Sequence, residues 1–411
     1  MALRQIITPN RIWIPPVLTL SLVIGVCVYK YCNAVIPKPE ELGQAQPPPP
    51  LPIDDLEAGI DADTMATYRK LGAVYGKIQP TEDGFGSFVD ARRADAAGMP
   101  AFEFQKFPAG KFPEIGVPFG LALFNSELTD GGLKELGRHK KLEYLSIGMT
   151  GVTDADLHEL RDLPGLTKLS VQSCEGATGF GIKELKALTH LDISRSGLTD
   201  AGLKELTELK NLTYLDIAFT GVTVAGLKEL KEFKNLNTLS LHATPITDSG
   251  LRDLEDLKYL TGLYLAKTSV TDAGLKELAG HANLTSLSIA YTPVTDVGLK
   301  ELKSFKKLKT LYLDNTGVTD AGLKNIRELN NLTSLDLSVT NLTDAGLQEL
   351  KELKSLIYLN LAATKVTDAG LKDLARLKNL TTLILYKTET TYQGIAELRL
   401  ALPKCRIYPP R

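Results

Sequence analysis

At 411 residues the chain has room for two or three ordinary domains. Its 47 basic and 49 acidic residues leave a net charge of -2 with no strongly basic block, which excludes the clustered Lys and Arg that a nucleic-acid partner demands. Four cysteines, Cys27, Cys32, Cys174 and Cys405, lack the spacing of a disulfide framework.

Residues 1–11 form a short tail containing Arg4 and Arg11. Residues 12–29 then run without a charge and are closed by Lys30, a length that spans a bilayer as one helix. No small-x-small cleavage pattern follows, and the bulky Val26 before Cys27 argues against lipidation, so an uncleaved signal anchor is expected. Pro15 and Pro16 fall at early helical positions, whose amides lack partners in any case. Arg4 and Arg11 against Lys30 and Lys38 give a weak bias that places the N-terminus in the cytoplasm. Residues 30–53 are a proline-rich linker ending in Gln46-Pro-Pro-Pro-Pro-Leu-Pro52, extended and semi-stiff.

Residues 54–120 read as a cap, with a helix from Asp54 to Gly72 and a strand at Ala101 to Phe104. Residues 121–390 are a repeat array: Val/Leu-Thr-Asp recurs every 24 residues from Thr199 to Thr391, with Thr129 and Thr153 upstream. A fixed period of this length marks a solenoid, each unit burying its apolar face only against its neighbours. In the copy from Thr199 to Val222, Leu203, Leu206 and Leu209 suit a short helix, while Tyr214 to Ala218 alternates as a strand with Leu215 and Ile217 inward. Asp200 is expected to cap its own helix, a role lost at Val224, Gly179 and Tyr392. Spacings of 25 residues from Thr153 to Thr178 and 21 to Thr199 mark one irregular place, read as an insertion and deletion tolerated in exposed connections. Lys and Glu along the helices are read as solvated faces with local ion pairs. The Asn-x-Thr sequons at Asn211, Asn283, Asn331, Asn341 and Asn379 are read as repeat grammar. Residues 391–411 form a C-terminal cap, with a sealing strand in Leu402 to Tyr408.

The pattern Leu212-x-x-Leu215-x-Ile217-x-x-Thr220-x-Val222 resembles the leucine-rich repeat, with Thr in place of the more usual Asn or Cys. The Thr-Asp-x-Gly-Leu helix start is most similar to large bacterial repeat proteins and, more distantly, to the repeats that accompany F-box segments. The resemblance implies an α/β solenoid, a horseshoe with parallel strands on the concave face and short helices on the convex face. It also implies macromolecular binding, with no chemistry belonging to the repeat itself.

No phosphate loop, nucleophile elbow, HExxH or paired-cysteine spacing is present, and His139, His158, His190, His242 and His281 are dispersed. No cofactor, metal or small-molecule substrate is therefore expected. Carrying the strand register along the concave face collects His190, Asp192, Arg195, Tyr214, Asp216, Phe219, His242, Tyr264, Lys267, Tyr291, Tyr312 and Asp314. Strands about 4.8 Å apart make this a patch roughly 25 Å long, rich in the aromatic and Arg residues that anchor interfaces. Ser286, Ser288 and Ala290 leave it flat in places. The expected function is a membrane-anchored, non-enzymatic protein-binding or scaffolding protein, with a protein or cell-envelope partner. The alternative is a self-associating envelope component. A glycan-cleaving cluster of His190, Asp192 and Asp216 is the weakest of the three readings.

Overall fold

Leu215 and Ile217 are fully buried, and so are Leu203, Leu206, Leu209 and Leu212 of the same copy, because an alternating segment and a helical stripe close on one another and on the next copy. The computed structural model describes residues 59–81, 84–91, 98–108, 111–123, 128 and 132–409, all within the unit Leu56–Arg411. The tail, the anchor of 12–29, the linker of 30–53 and Cys27 and Cys32 lie outside the described residues. Among the described residues no helix is long and apolar enough to cross a membrane.

The strands are β1 (Ala73–Gln79), β2 (Ser87–Asp90), β3 (Met99–Phe104), β4 (Phe119–Ala122), β5 (Leu142–Ser146), β6 (Lys168–Ser170), β7 (His190–Asp192) and β8 (Tyr214–Asp216). They continue as β9 (Thr238–Ser240), β10 (Gly262–Tyr264), β11 (Ser286–Ser288), β12 (Thr310–Tyr312), β13 (Ser334–Asp336), β14 (Tyr358–Asn360), β15 (Thr382–Ile384) and β16 (Arg406–Tyr408). All join one sheet, consecutive and parallel from β3 to β16, while β1 lies antiparallel between β2 and β3. The expected strand at Ala101 to Phe104 is therefore part of β3, and the sealing strand is β16.

The N-terminal cap replaces leucine with stacked rings. Its helix α1 (Ala62–Lys70) begins later than the expected Asp54, because Gly59 turns the chain at φ 73° and the Asp61 carboxylate caps Thr64 N–H at 2.8 Å. Tyr68 on α1 is fully buried, stacked on Phe102 at 4.2 Å and touching Phe104 and Phe112. This covers the first repeat's leucines, which water would otherwise reach.

The Asp of the repeated frame does not cap its own helix, contrary to the sequence expectation. Asp200 Oδ1 accepts Thr223 N–H, and Oδ2 accepts the Thr223 hydroxyl, both at 2.7 Å and both in the next copy. That hydroxyl in turn accepts Ala225 N–H at 3.2 Å, so Thr is the true N-cap and Asp is a latch between copies. The latch recurs from Asp154, Asp248, Asp272, Asp296, Asp320, Asp344 and Asp368. It also explains the glycine three residues after each latched Thr: a Cβ at Gly226, Gly322 or Gly370 would collide with the carboxylate of Asp200, Asp296 or Asp344. Where Val224 replaces Asp the latch to Thr247 is missing, and Gly250 faces Leu227, Ile246 and Val224 instead. Tyr392 follows the last latched Thr, Thr391, and needs no acidic side chain.

In four of the five sequons, all but that of Asn341, the Asn reaches back one copy. Asn211 Nδ2 donates to Lys186 O at 2.9 Å, and Asn283, Asn331 and Asn379 repeat the bond. The Thr that replaces the usual Asn or Cys is satisfied within its own loop, Thr220 Oγ1 donating to Ile217 O at 2.7 Å. Ion pairs mostly bridge copies, such as Lys183–Glu205 at 2.9 Å and Lys306–Glu328 at 3.5 Å, rather than staying within one helix as expected. The irregular copy after Thr178 replaces its helix with turns, yet β6, β7 and β8 keep unbroken register. Its insertion and deletion are both absorbed between β6 and β7. Cys174 and Cys405 are buried free thiols, and burial pushes Cys405 up to about 11.

Candidate functional site on the strand face

The expected site residues fall into four rows along the strand face, because a side chain two residues on returns to the same face and a copy on repeats the position. His190 and Tyr214 share the first row, which β5 and β6 extend with Tyr144 and Lys168. Asp192, Asp216, Tyr264 and Tyr312 lie on the second. His242 and Asp314 follow the strand ends. Arg195, Phe219, Lys267 and Tyr291 form the fourth row.

The fourth row is built on an unusual backbone. Eleven non-glycine residues, one per copy from Met149 to Lys387, hold φ between 52° and 59°. A left-handed L-residue costs about 1–2 kcal/mol against its right-handed form, and glycine would adopt this geometry without that penalty. The chain nevertheless places Arg195, Phe219, Lys267 and Tyr291 there. The Arg195 guanidinium sits 3.8 Å from the Phe219 ring centre, and the Phe219 ring is 5.0 Å from His242. Lys267 Nζ lies 5.8 Å from Phe219 and 5.4 Å from Tyr291. Cations alternate with rings, each ring face stabilising a charge.

Burial, then the cations Lys267 and Arg195, push His242 down to about 4, so it is neutral at pH 7 within a positive field. Further along, burial and then Asp336 raise Asp314 to about 7. Burial also raises Asp336, although Ser338 N–H and hydroxyl and Asn360 Nδ2 all donate to it. The face therefore changes character from cationic around Arg195 and Lys267 to carboxyl-rich at Asp314 and Asp336.

Asp192 and Asp216 have a local role. Asp192 Oδ1 accepts Ser194 N–H at 3.0 Å and its hydroxyl at 2.7 Å, and Asp216 Oδ1 accepts Ala218 N–H at 2.9 Å. The same bond recurs at Asp336 with Ser338 and at Asn360 with Ala362, so it belongs to the turn after strands that end in Asp or Asn. His190 Nδ1 lies 2.9 Å from Thr189 Oγ1.

The first row is covered by the chain itself. Phe85, between β1 and β2, lies over Tyr144, His190 and Tyr214 at ring separations of 5.8, 6.3 and 5.4 Å. Tyr214 is consequently buried rather than open to a partner. Tyr144 and Lys168 escaped the sequence reading, although carrying the register two copies upstream of His190 would have found them. Carrying it beyond Tyr312 would likewise have found Asp336 and Tyr358. Phe85 offers only the weak signal of flanking glycines.

A family model described as a leucine-rich repeat region matches residues 180–400. No curated protein matches the chain. Among solved structures, the internalin inlF of Listeria monocytogenes is 22% identical over 75% of this chain and 86% of its own, with a TM-score of 0.56. A leucine-rich repeat protein of Leptospira interrogans is 21% identical over 70% and 89%, TM-score 0.42. The internalin C2 of L. monocytogenes is 24% identical over 52% and 84%, TM-score 0.38. At such identity the likeness to inlF is one of fold. With its period, its parallel one-strand-per-copy sheet and a family match over more than half of its 411 residues, the chain belongs to the leucine-rich repeat family.

Proposed function

We propose that this is a membrane-anchored, non-enzymatic binding or scaffolding protein, with its repeat arc outside the cytoplasm and a protein or other cell-envelope partner held on the concave face. The cation and ring ladder Arg195, Phe219, His242, Lys267 and Tyr291 carries this reading. Its side chains stand on backbone that glycine would suit better, and strain retained in copy after copy points to a use for the side chains. The charge-free residues 12–29 and the proline-rich linker support the anchor. A photo-crosslinking amino acid at Tyr291, compared with one at Tyr259 outside the ladder, tests the reading in intact cells. A discrete adduct from position 291 and none from 259 is expected. Equal labelling at both positions, or none at either, contradicts it.

Self-association is a second reading, favoured by the C-terminal end. There β16 ends the sheet, and Tyr392 and Leu400 are 70% and 85% exposed. Concentration-dependent sedimentation that Leu400→Glu abolishes would establish it.

A further inference from the structure

We propose that the row Tyr144, Lys168, His190 and Tyr214 is a peptide-recognition site occupied in cis by the chain's own Gly84–Phe85–Gly86 turn, and that a partner segment presenting an aromatic residue beside free main-chain carbonyls takes that turn's place. The contacts are those of a bound peptide. Lys168 Nζ donates to Gly84 O at 2.7 Å and to Phe85 O at 2.8 Å, a cation gathering two adjacent carbonyls. The Phe85 ring enters an aromatic cage made by Tyr144, His190 and Tyr214, with His190 and Tyr214 stacked on each other at 5.8 Å. Tyr144 Oη faces Gly86 O at 3.5 Å.

Two features separate this from ordinary core packing. Gly84 and Gly86 hold φ of 83° and 96° on either side of Phe85, so the turn projects one ring rather than continuing a strand. Large side chains also gather in this row beneath the turn; at the same register β9 to β13 place Thr238, Gly262, Ser286, Thr310 and Ser334, and a ring returns with Tyr358 on β14. β2 pairs with β1, at the N-terminal end of the sheet. The turn is tethered through β1 and held on the arc by side chains.

The proposal rests on the concave-face reading only for the existence of a partner. Its test uses the full-length chain and a fluorescent peptide covering Thr81 to Phe88, followed by anisotropy. Because an occupied site lowers apparent affinity by the fraction that is open, Phe85→Ala is expected to bind the peptide about tenfold or more tighter than the unaltered chain. Adding Lys168→Ala is expected to erase that gain. Equal binding to both chains, no binding to either, or a gain indifferent to Lys168→Ala overturns the proposal. If Phe85→Ala does not fold, Phe85→Leu keeps an apolar side chain there and serves the same comparison. Phe219→Gly alters the cation and ring ladder alone, so peptide affinity unchanged in it separates this site from the outcome at the ladder.

Discussion

The Thr-Asp edge of the repeat array and the strand face obey opposite rules. At the edge the same residues make the same bonds in copy after copy: Asp takes the next Thr, Thr caps its helix, and Gly leaves room for the carboxylate. On the strand face the backbone repeats while the side chains do not, and Arg195, Phe219, Ala243, Lys267 and Tyr291 follow one another at a single position. An internal repeat supplies its own comparison. Positions that stay fixed build the array, and positions that vary on a repeated, strained backbone are available for recognition.

Breaking the regular edge has the largest expected effect. Asp296→Ala removes the acceptor for both Thr319 N–H and the Thr319 hydroxyl, and charge-assisted bonds of this kind make the loss about 3 kcal/mol. A fall in melting temperature well beyond that of an exposed substitution checks this.

A second effect comes from a departure at a core position. His139 and His281 stand where other copies place Leu209, Phe233 or Phe305, and both are buried. Among the described residues His139 has no partner on either ring nitrogen, and burial holds its pKa below the ordinary 6.5. The unfolded chain therefore takes up a proton near pH 6.5 that the folded chain refuses, and stability falls as pH drops below that value. His139→Leu should stabilise by about 1–2 kcal/mol at pH 7.5, from the unpaired ring nitrogens, and by more at pH 5.5. Asp314, raised to about 7, acts in the opposite sense, since its folded carboxyl holds a proton that the unfolded chain releases. Melting curves of the variant and the unaltered chain at both pH values isolate the histidine.

Restoring the latch is a smaller change. Val224→Asp should reach Thr247 and gain about 1 kcal/mol, read as a higher melting temperature. The smallest effect is expected at the exposed pair Lys306–Glu328, where Lys306→Met should leave the melting temperature within error at physiological salt.

The period, the inward leucines, the sheet order from β4 onward and the sealing strand were legible in the sequence, because one copy's apolar pattern dictates its strand and helix and repetition dictates the rest. The job of Asp200 was not, since local spacing suggests a cap whereas its acceptor role depends on how closely the next copy approaches. His190, Asp192, Tyr214, Asp216, Tyr264 and Tyr312 pair in the expected strand register, but the cover over His190 and Tyr214 was invisible. It depends on a turn far upstream, beginning at Gly84, whose destination no periodicity encodes.

The most direct test of the division between edge and face is Phe219→Gly, measured for stability and for partner adduct formation through a crosslinker at Tyr291. Relief of the left-handed strain predicts a melting temperature equal to or above that of the unaltered chain, together with loss of the adduct. A variant that melts lower while keeping the adduct would show that Phe219 serves the fold and would contradict the account.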